Sequence, residues 1–194
     1  GIFQRRDHSG ERTRQIAALF IRSIPTLQDE GYDLRRVIAS LLGGHHAHFV
    51  EQSFVDYFSC LEQIAGSFAR IRGADTIMPR NEFRKFKSSL KEVIRSLPEK
   101  EGRLVGQKIA ELNRPPISET LQALYSTFGL DFEDLFTTSD GYSVLGARNS
   151  LIHDPASFTG NKFLVMSRLL YALESLVAAL VGFDGPLEPP PHAV

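Results

Sequence analysis

HAHFVEQSFVDYFSCLEQIAGSFARI, residues 46–71, carries Phe54, Phe58, Leu61, Ala65 and Phe68 at steps of four, three, four and three. That spacing keeps five apolar side chains on one continuous face of an α-helix over four turns. Nothing in the chain offers the competing period of two with β-branched residues that a strand needs. The stretch therefore predicts an α-helix that buries this face, in an all-α protein.

Outward from it, the same periodicity recurs. Residues 11–24 (ERTRQIAALFIRSI) predict a helix stopped by Pro25, and residues 33–42 (DLRRVIASLL) a second ended by a turn at Gly43-Gly44. Both are short and basic. Residues 81–96 predict an amphipathic helix with Phe83, Phe86, Leu90, Val93 and Ile94 inward and lysines outward, closed by Pro98. A short helix follows near 103–112. Ser118 is placed to cap another over 119–128, with Gly129 as its stop. A loop holding Ser139, Asp140 and Gly141 leads to a helix that must end by about Asp154, because Pro155 disfavours helical geometry in the residue before it. The last helix, 161–182, is apolar over more than half its circumference, so it is either central or shared with a partner. The expected organisation is an N-terminal helical appendage (1–44), an up-and-down helical bundle (45–183) and a Pro-rich tail (184–194) too poor in apolar residues to pack.

Composition narrows the function classes. The 194 residues hold 22 Lys and Arg against 23 Asp and Glu, a formal net charge of −1. A strongly basic nucleic-acid binder looks different, so any polyanion contact must use a local patch. The single cysteine, Cys60, rules out an internal disulfide or a cysteine-based zinc site and points to a reducing, cytoplasmic setting. No uncharged apolar window reaches ~18 residues. The nearest candidate contains Arg168 and Glu174, and no membrane partner is expected. The chain begins with Gly1 rather than Met and reads as a piece of a longer protein. His45, His46 and His48 lack an obvious completing ligand and read as exposed residues at a helix start. The basic clusters Arg5, Arg6, Arg12, Arg14, Arg35, Arg36 and Arg84, Lys85, Lys87, Lys91 read as solvated faces.

One polar group breaks the pattern. In GARNSLIHDP, residues 146–155, successive positions turn by about 100° on a helix. With Val144 at the origin, Leu145, Leu151 and Ile152 form an apolar arc. Arg148 falls at about 40°, inside that arc, with Asn149 at about 140° and His153 at about 180°. An arginine aimed at an apolar surface must be paired or must meet a hydrated cleft. One reading pairs it with a core acid, Asp56 or Glu62, and leaves His153 at the helix end to interact with the dipole. The other reading is chemical. Histidine exchanges a proton near neutrality, and arginine holds phosphate oxygens with a charged fork. Asparagine can orient either partner. The set suits RNA cleavage through the 2′-hydroxyl, where a base activates the nucleophile and a cation stabilises the phosphate, with no metal required. Arg148 and His153 lie about 140° apart, so they converge only if the last turn distorts or if two copies meet at a two-fold axis.

Arg148-Asn149-x-x-x-His153 matches the R-x4–6-H motif of HEPN domains, late in an all-α chain and ahead of a long final helix. ELNRPPISETLQALYSTFG (111–129), an acidic loop and then GARNSLIHD (146–154) resemble the ApeA-like branch in particular. The resemblance covers roughly 46–182. It implies a homodimer of helical bundles with both motifs facing a shared cleft. It implies a metal-independent, cofactor-free endoribonuclease with RNA as partner, Arg148 and His153 as the active pair and Asn149 in support. Such domains often close larger prokaryotic defence proteins, so a role in anti-phage defence or a toxin-like system, and further domains of a parent chain, are expected. The position two residues after His153 is Pro155, where members that serve as modified toxins carry tyrosine. Other HEPN domains are inactive scaffolds, so a non-catalytic dimerisation or docking module is the alternative. A nucleotide- or polyanion-binding regulator that uses Arg148 without turnover is a further one.

Overall fold

The structure is a computed structural model. It describes residues 10–131, 136, 143–153, 158 and 160–183, without the side chains of 10–17, 45, 110, 149, 152 and 153. The expected Pro-rich tail, the loop at Ser139-Asp140-Gly141 and Pro155 lie outside the described residues, as do Arg5, Arg6 and the side chains of Arg12 and Arg14.

Helices account for the described elements and no strand occurs among them: α1 (Gly10–Asp29), α2 (Leu34–His46), α3 (Val50–Ile71), α4 (Arg80–Ser89), α5 (Lys91–Arg95), α6 (Glu99–Glu111), α7 (Ile117–Thr127), α8 (Val144–His153) and α9 (Lys162–Leu180). The all-α bundle predicted from residues 46–71 is what forms. Helix α3 runs through its centre and packs against α2, α7, α8 and α9. Phe54, Phe58, Leu61, Ala65 and Phe68 are all buried. They meet Leu121, Leu124 and Tyr125 of α7, Val144, Ala147 and Leu151 of α8, and Leu169, Leu173 and Leu176 of α9 in one core. The buried Tyr125 hydroxyl donates to the Ala172 carbonyl at 2.7 Å, so the ring is packed without leaving its polar tip unsatisfied. Helix α9 is long and apolar enough to cross a membrane by length and composition, and more than half of it is buried in this bundle. Its first turn is capped by Asn161, whose Oδ1 accepts from the amides of Phe163 and Leu164 at 3.1 Å each. Ser143 does the same for α8, its Oγ accepting from the Gly146 amide at 2.8 Å.

Several local expectations change. Helix α1 does not stop at Pro25 but continues to Asp29. An internal proline costs about 3 kcal/mol. Here the turn beyond it buries Leu27, with Ile24 against the same core, which offsets the loss. Leu27, Tyr32, Leu34 and Val37, from the segment read as an appendage, join the cluster around α3. Helix α7 starts at Ile117, directly after Pro116, so Ser118 sits inside it rather than capping it. Proline fixes a φ suited to a helix start. The stop falls as expected, with Gly129 at φ +65° just past the end.

Gly43 and Gly44 are not a turn. Helix α2 runs through both to His46. A Cβ on Gly44 would lie 2.8 Å from the Tyr57 ring, whereas one on Gly43 would meet only the Asp56 carboxylate, at 3.3 Å. The pair lets α2 press its backbone onto α3. Gly44→Ala is expected to lower stability by about 1–3 kcal/mol through overpacking, despite a helix-propensity gain of up to ~1 kcal/mol. Gly43→Ala, facing a side chain that can swing away, should be neutral or stabilising. Paired urea titrations measure the difference.

The larger departure concerns residues 81–96. They form two helices, α4 and α5, that bury no residue. With α6 they project from the bundle as an arm, leaving Phe86 39%, Val93 62% and Leu104 49% exposed. The amphipathic pattern is real, but its apolar face is only partly covered: Phe83, Leu90 and Ile94 are half-buried, Phe86 and Val93 exposed. A clasp closes the base of the arm. The buried Asn113 side chain accepts from the Met78 amide at 2.9 Å and donates to the Met78 carbonyl at 3.0 Å. The Ile77 amide donates to the Asn113 carbonyl at 2.9 Å. Asn113→Ala leaves both Met78 groups without their side-chain partner, at an expected cost of about 1–3 kcal/mol. Faster proteolysis within 80–112, with the bundle unaffected, is the expected readout.

Candidate functional site

Arg148 lies in the middle of α8, on the turn that carries the buried Ala147 and Leu151. Its guanidinium crosses to α3. One Nη donates to Glu62 Oε1 at 2.9 Å, and its central carbon sits 5.6 Å from the centre of the Phe58 ring. Of the two core acids named as examples from the sequence, Glu62 is the partner. Asp56 instead accepts from Gln52 at 3.1 Å.

The pair is not sealed into the core. The Arg148 and Glu62 side chains remain 30% and 35% exposed. Both line an open cleft of about 580 Å³ between α3, α7 and α8. An arginine locked inside against a carboxylate could reach no ligand, whereas this one forms part of a wall that solvent and solutes reach. The cleft also receives Arg70 from the last turns of α3 and Arg114 from the segment before α7, with Asp75 as a second acid. Ala69, Pro115 and Ile117 give it an apolar floor. Arg70 belongs to no motif, and although Arg114 stands in the ELNRPP stretch quoted above, nothing in the sequence signals that these two converge with Arg148.

His153 is the last residue of α8, and the helix is regular up to it. Its backbone therefore lies about 140° from that of Arg148 around the axis. The side chains of Asn149 and His153 are outside the described residues, so of the three sequence-predicted site residues the structure places Arg148 alone in the cleft.

Other candidate chemistry falls away. Burial pushes the Cys60 thiol up to about 12, which keeps it protonated and inert as a nucleophile. Burial likewise raises Tyr125 well above its ordinary value. No cluster of metal-ligating side chains occurs among the described residues. His46 ends α2 and His48 follows it, both exposed, rather than starting a helix. Lys162 bridges to Glu51 at 2.6 Å and holds that carboxyl below its usual range, tying the start of α9 to the start of α3.

Compared with protein-family models, with curated proteins and with solved structures, the chain gives no match.

Proposed function

We propose that this chain is a metal-independent endoribonuclease domain of the HEPN type, an RNA-cleaving effector in anti-phage defence or a toxin-like system that works as a homodimer. The observation that supports it is the position of Arg148, on the wall of an open cleft with two further arginines rather than inside the core. In this reading Arg148 holds the scissile phosphate, His153 exchanges protons with the 2′-hydroxyl and the leaving oxygen, and Asn149 orients them. Glu62 keeps the guanidinium aimed at the cleft until phosphate oxygens replace its carboxylate. Because α8 stays regular to His153, Arg148 and His153 of one copy diverge around the axis. A two-fold pairing of α8 with its copy supplies the missing convergence.

The second reading is a non-catalytic helical module that dimerises or docks a partner domain. The exposed apolar residues of the α4–α6 arm favour it. One assay separates the two. Structured and single-stranded RNAs are incubated with the purified protein in EDTA, and its mass in solution is measured alongside. Cleavage at specific positions supports the endoribonuclease. Intact RNA with a stable dimer supports the module.

A further inference from the structure

We infer that Arg70 and Arg114 join Arg148 in a phosphate-binding track that seats a nucleotide unit, either free or within a strand. The inference rests on reading Arg148 as a phosphate-binding group, and it does not depend on cleavage.

Three guanidinium groups from three separate elements line the one cleft, against two carboxylates. Glu62 and Arg148 neutralise each other, which leaves Arg70 and Arg114 facing Asp75. The cleft therefore carries a surplus of fixed positive charge in a protein whose overall charge is slightly negative. Guanidinium groups stay charged and match phosphate oxygens two at a time.

Arg70 is also held in place, and the backbone that carries Arg114 is constrained. Arg70 is tethered by its own helix, Nε donating to the Gly66 carbonyl at 3.3 Å and an Nη to Ser67 Oγ at 3.0 Å. Arg114 follows the buried Asn113 clasp and precedes Pro115-Pro116, so its backbone is fixed from both sides. Less ordering entropy is lost when the tethered Arg70 binds.

The volume and the lining accommodate a nucleotide unit. About 580 Å³ lies in the range of small-molecule and cofactor pockets, larger than a lone phosphate needs. Ala69, Pro115 and Ile117 offer an apolar strip beside the arginines, suited to a base or ribose face. A nucleotide presents both parts, an anionic phosphate and a flat apolar face.

The test uses a fluorescein-labelled RNA 12-mer whose 2′-hydroxyls are methylated, so that binding is read without turnover. Anisotropy titrations between 50 and 200 mM salt compare the wild type with Arg70→Gln, Arg114→Gln and Arg103→Gln, the last a charge-matched control on α6. Loss of either cleft arginine is expected to weaken binding roughly fivefold, given partly solvated charge-assisted contacts. Each should flatten the slope of log K against log salt by about 0.7. Arg103→Gln should change neither. Displacement of the 12-mer by ATP identifies a free nucleotide as occupant, and displacement by unlabelled strand alone identifies a strand; both support the track. Unchanged affinity and slope in the two cleft variants overturns it, and so does an equal effect of Arg103→Gln, which would show diffuse charge at work. Binding that depends on the cleft arginines, without cleavage of ordinary RNA, keeps the track and removes the endoribonuclease. Cleavage that ignores Arg70 and Arg114 does the reverse.

Discussion

Truncating Phe58 to alanine is expected to destabilise the bundle by about 3–5 kcal/mol, a large share of the ~5–15 kcal/mol that holds a domain folded. The ring is 1% exposed. It stacks on Phe54 with centroids 6.1 Å apart and planes 15° from parallel. Alanine would remove its buried area and leave a cavity at the helix that contacts α2, α7, α8 and α9. Neighbouring helices cannot all relax into one hole. The same ring lies beneath the Arg148 guanidinium, so the substitution also removes the surface that positions this group. Urea unfolding followed by circular dichroism measures the effect. The midpoint should fall with little change in slope, because the surface exposed on unfolding is nearly the same. Phe58→Leu keeps most of the volume and should cost less than about 1.5 kcal/mol. A midpoint unchanged by Phe58→Ala would contradict the central role given to α3.

The second large effect belongs to the proposed chemistry. If His153 transfers the proton, His153→Ala should slow RNA cleavage by roughly 10²–10⁴-fold while RNA affinity stays close to that of the wild type. Arg148→Ala should behave differently. It removes a phosphate contact, so binding weakens together with turnover, and it leaves Glu62 without its cation. The stability cost of that loss is expected to be modest, because both side chains are about one-third exposed and water can solvate the carboxylate. Equal loss of binding and turnover in both variants would make His153 a binding residue rather than a proton carrier. Mixing inactive His153→Ala and Arg148→Ala chains tests the shared cleft. A heterodimer that regains activity shows that each site draws on both copies.

What was legible in the sequence was what depends on periodicity. The five apolar residues of α3 announced a buried face, and the structure buries all five. The angle of Arg148 announced an arginine inside an apolar arc that needed a partner or a hydrated cleft, and the structure gives it both, Glu62 and the cleft. Properties set by the neighbour across the interface were hidden. Gly43-Gly44 reads as a chain break unless Tyr57 is known to lie 2.8 Å from where a Cβ would stand. Pro25 reads as a stop unless Leu27 is known to be buried beyond it. Phe86 and Val93 form an apolar face in sequence, but a pattern gives the face and not its cover. The Arg70–Arg114–Arg148 convergence was invisible for a related reason, since three lone arginines become a group when α3, α7 and α8 pack. Asn113 offered the one faint local hint, a polar residue fixed just before Arg114 and two prolines.

The clasp at Met78 and Asn113 sets the energetic independence of the arm. Its two strands of backbone leave and re-enter the bundle at the same point, so 80–112 can open without disturbing the core around α3. Hydrogen exchange should then divide the molecule into two cooperative units. Amides of α4, α5 and α6 should exchange through a low-cost local excursion, while those of α3 and α9 wait for global unfolding.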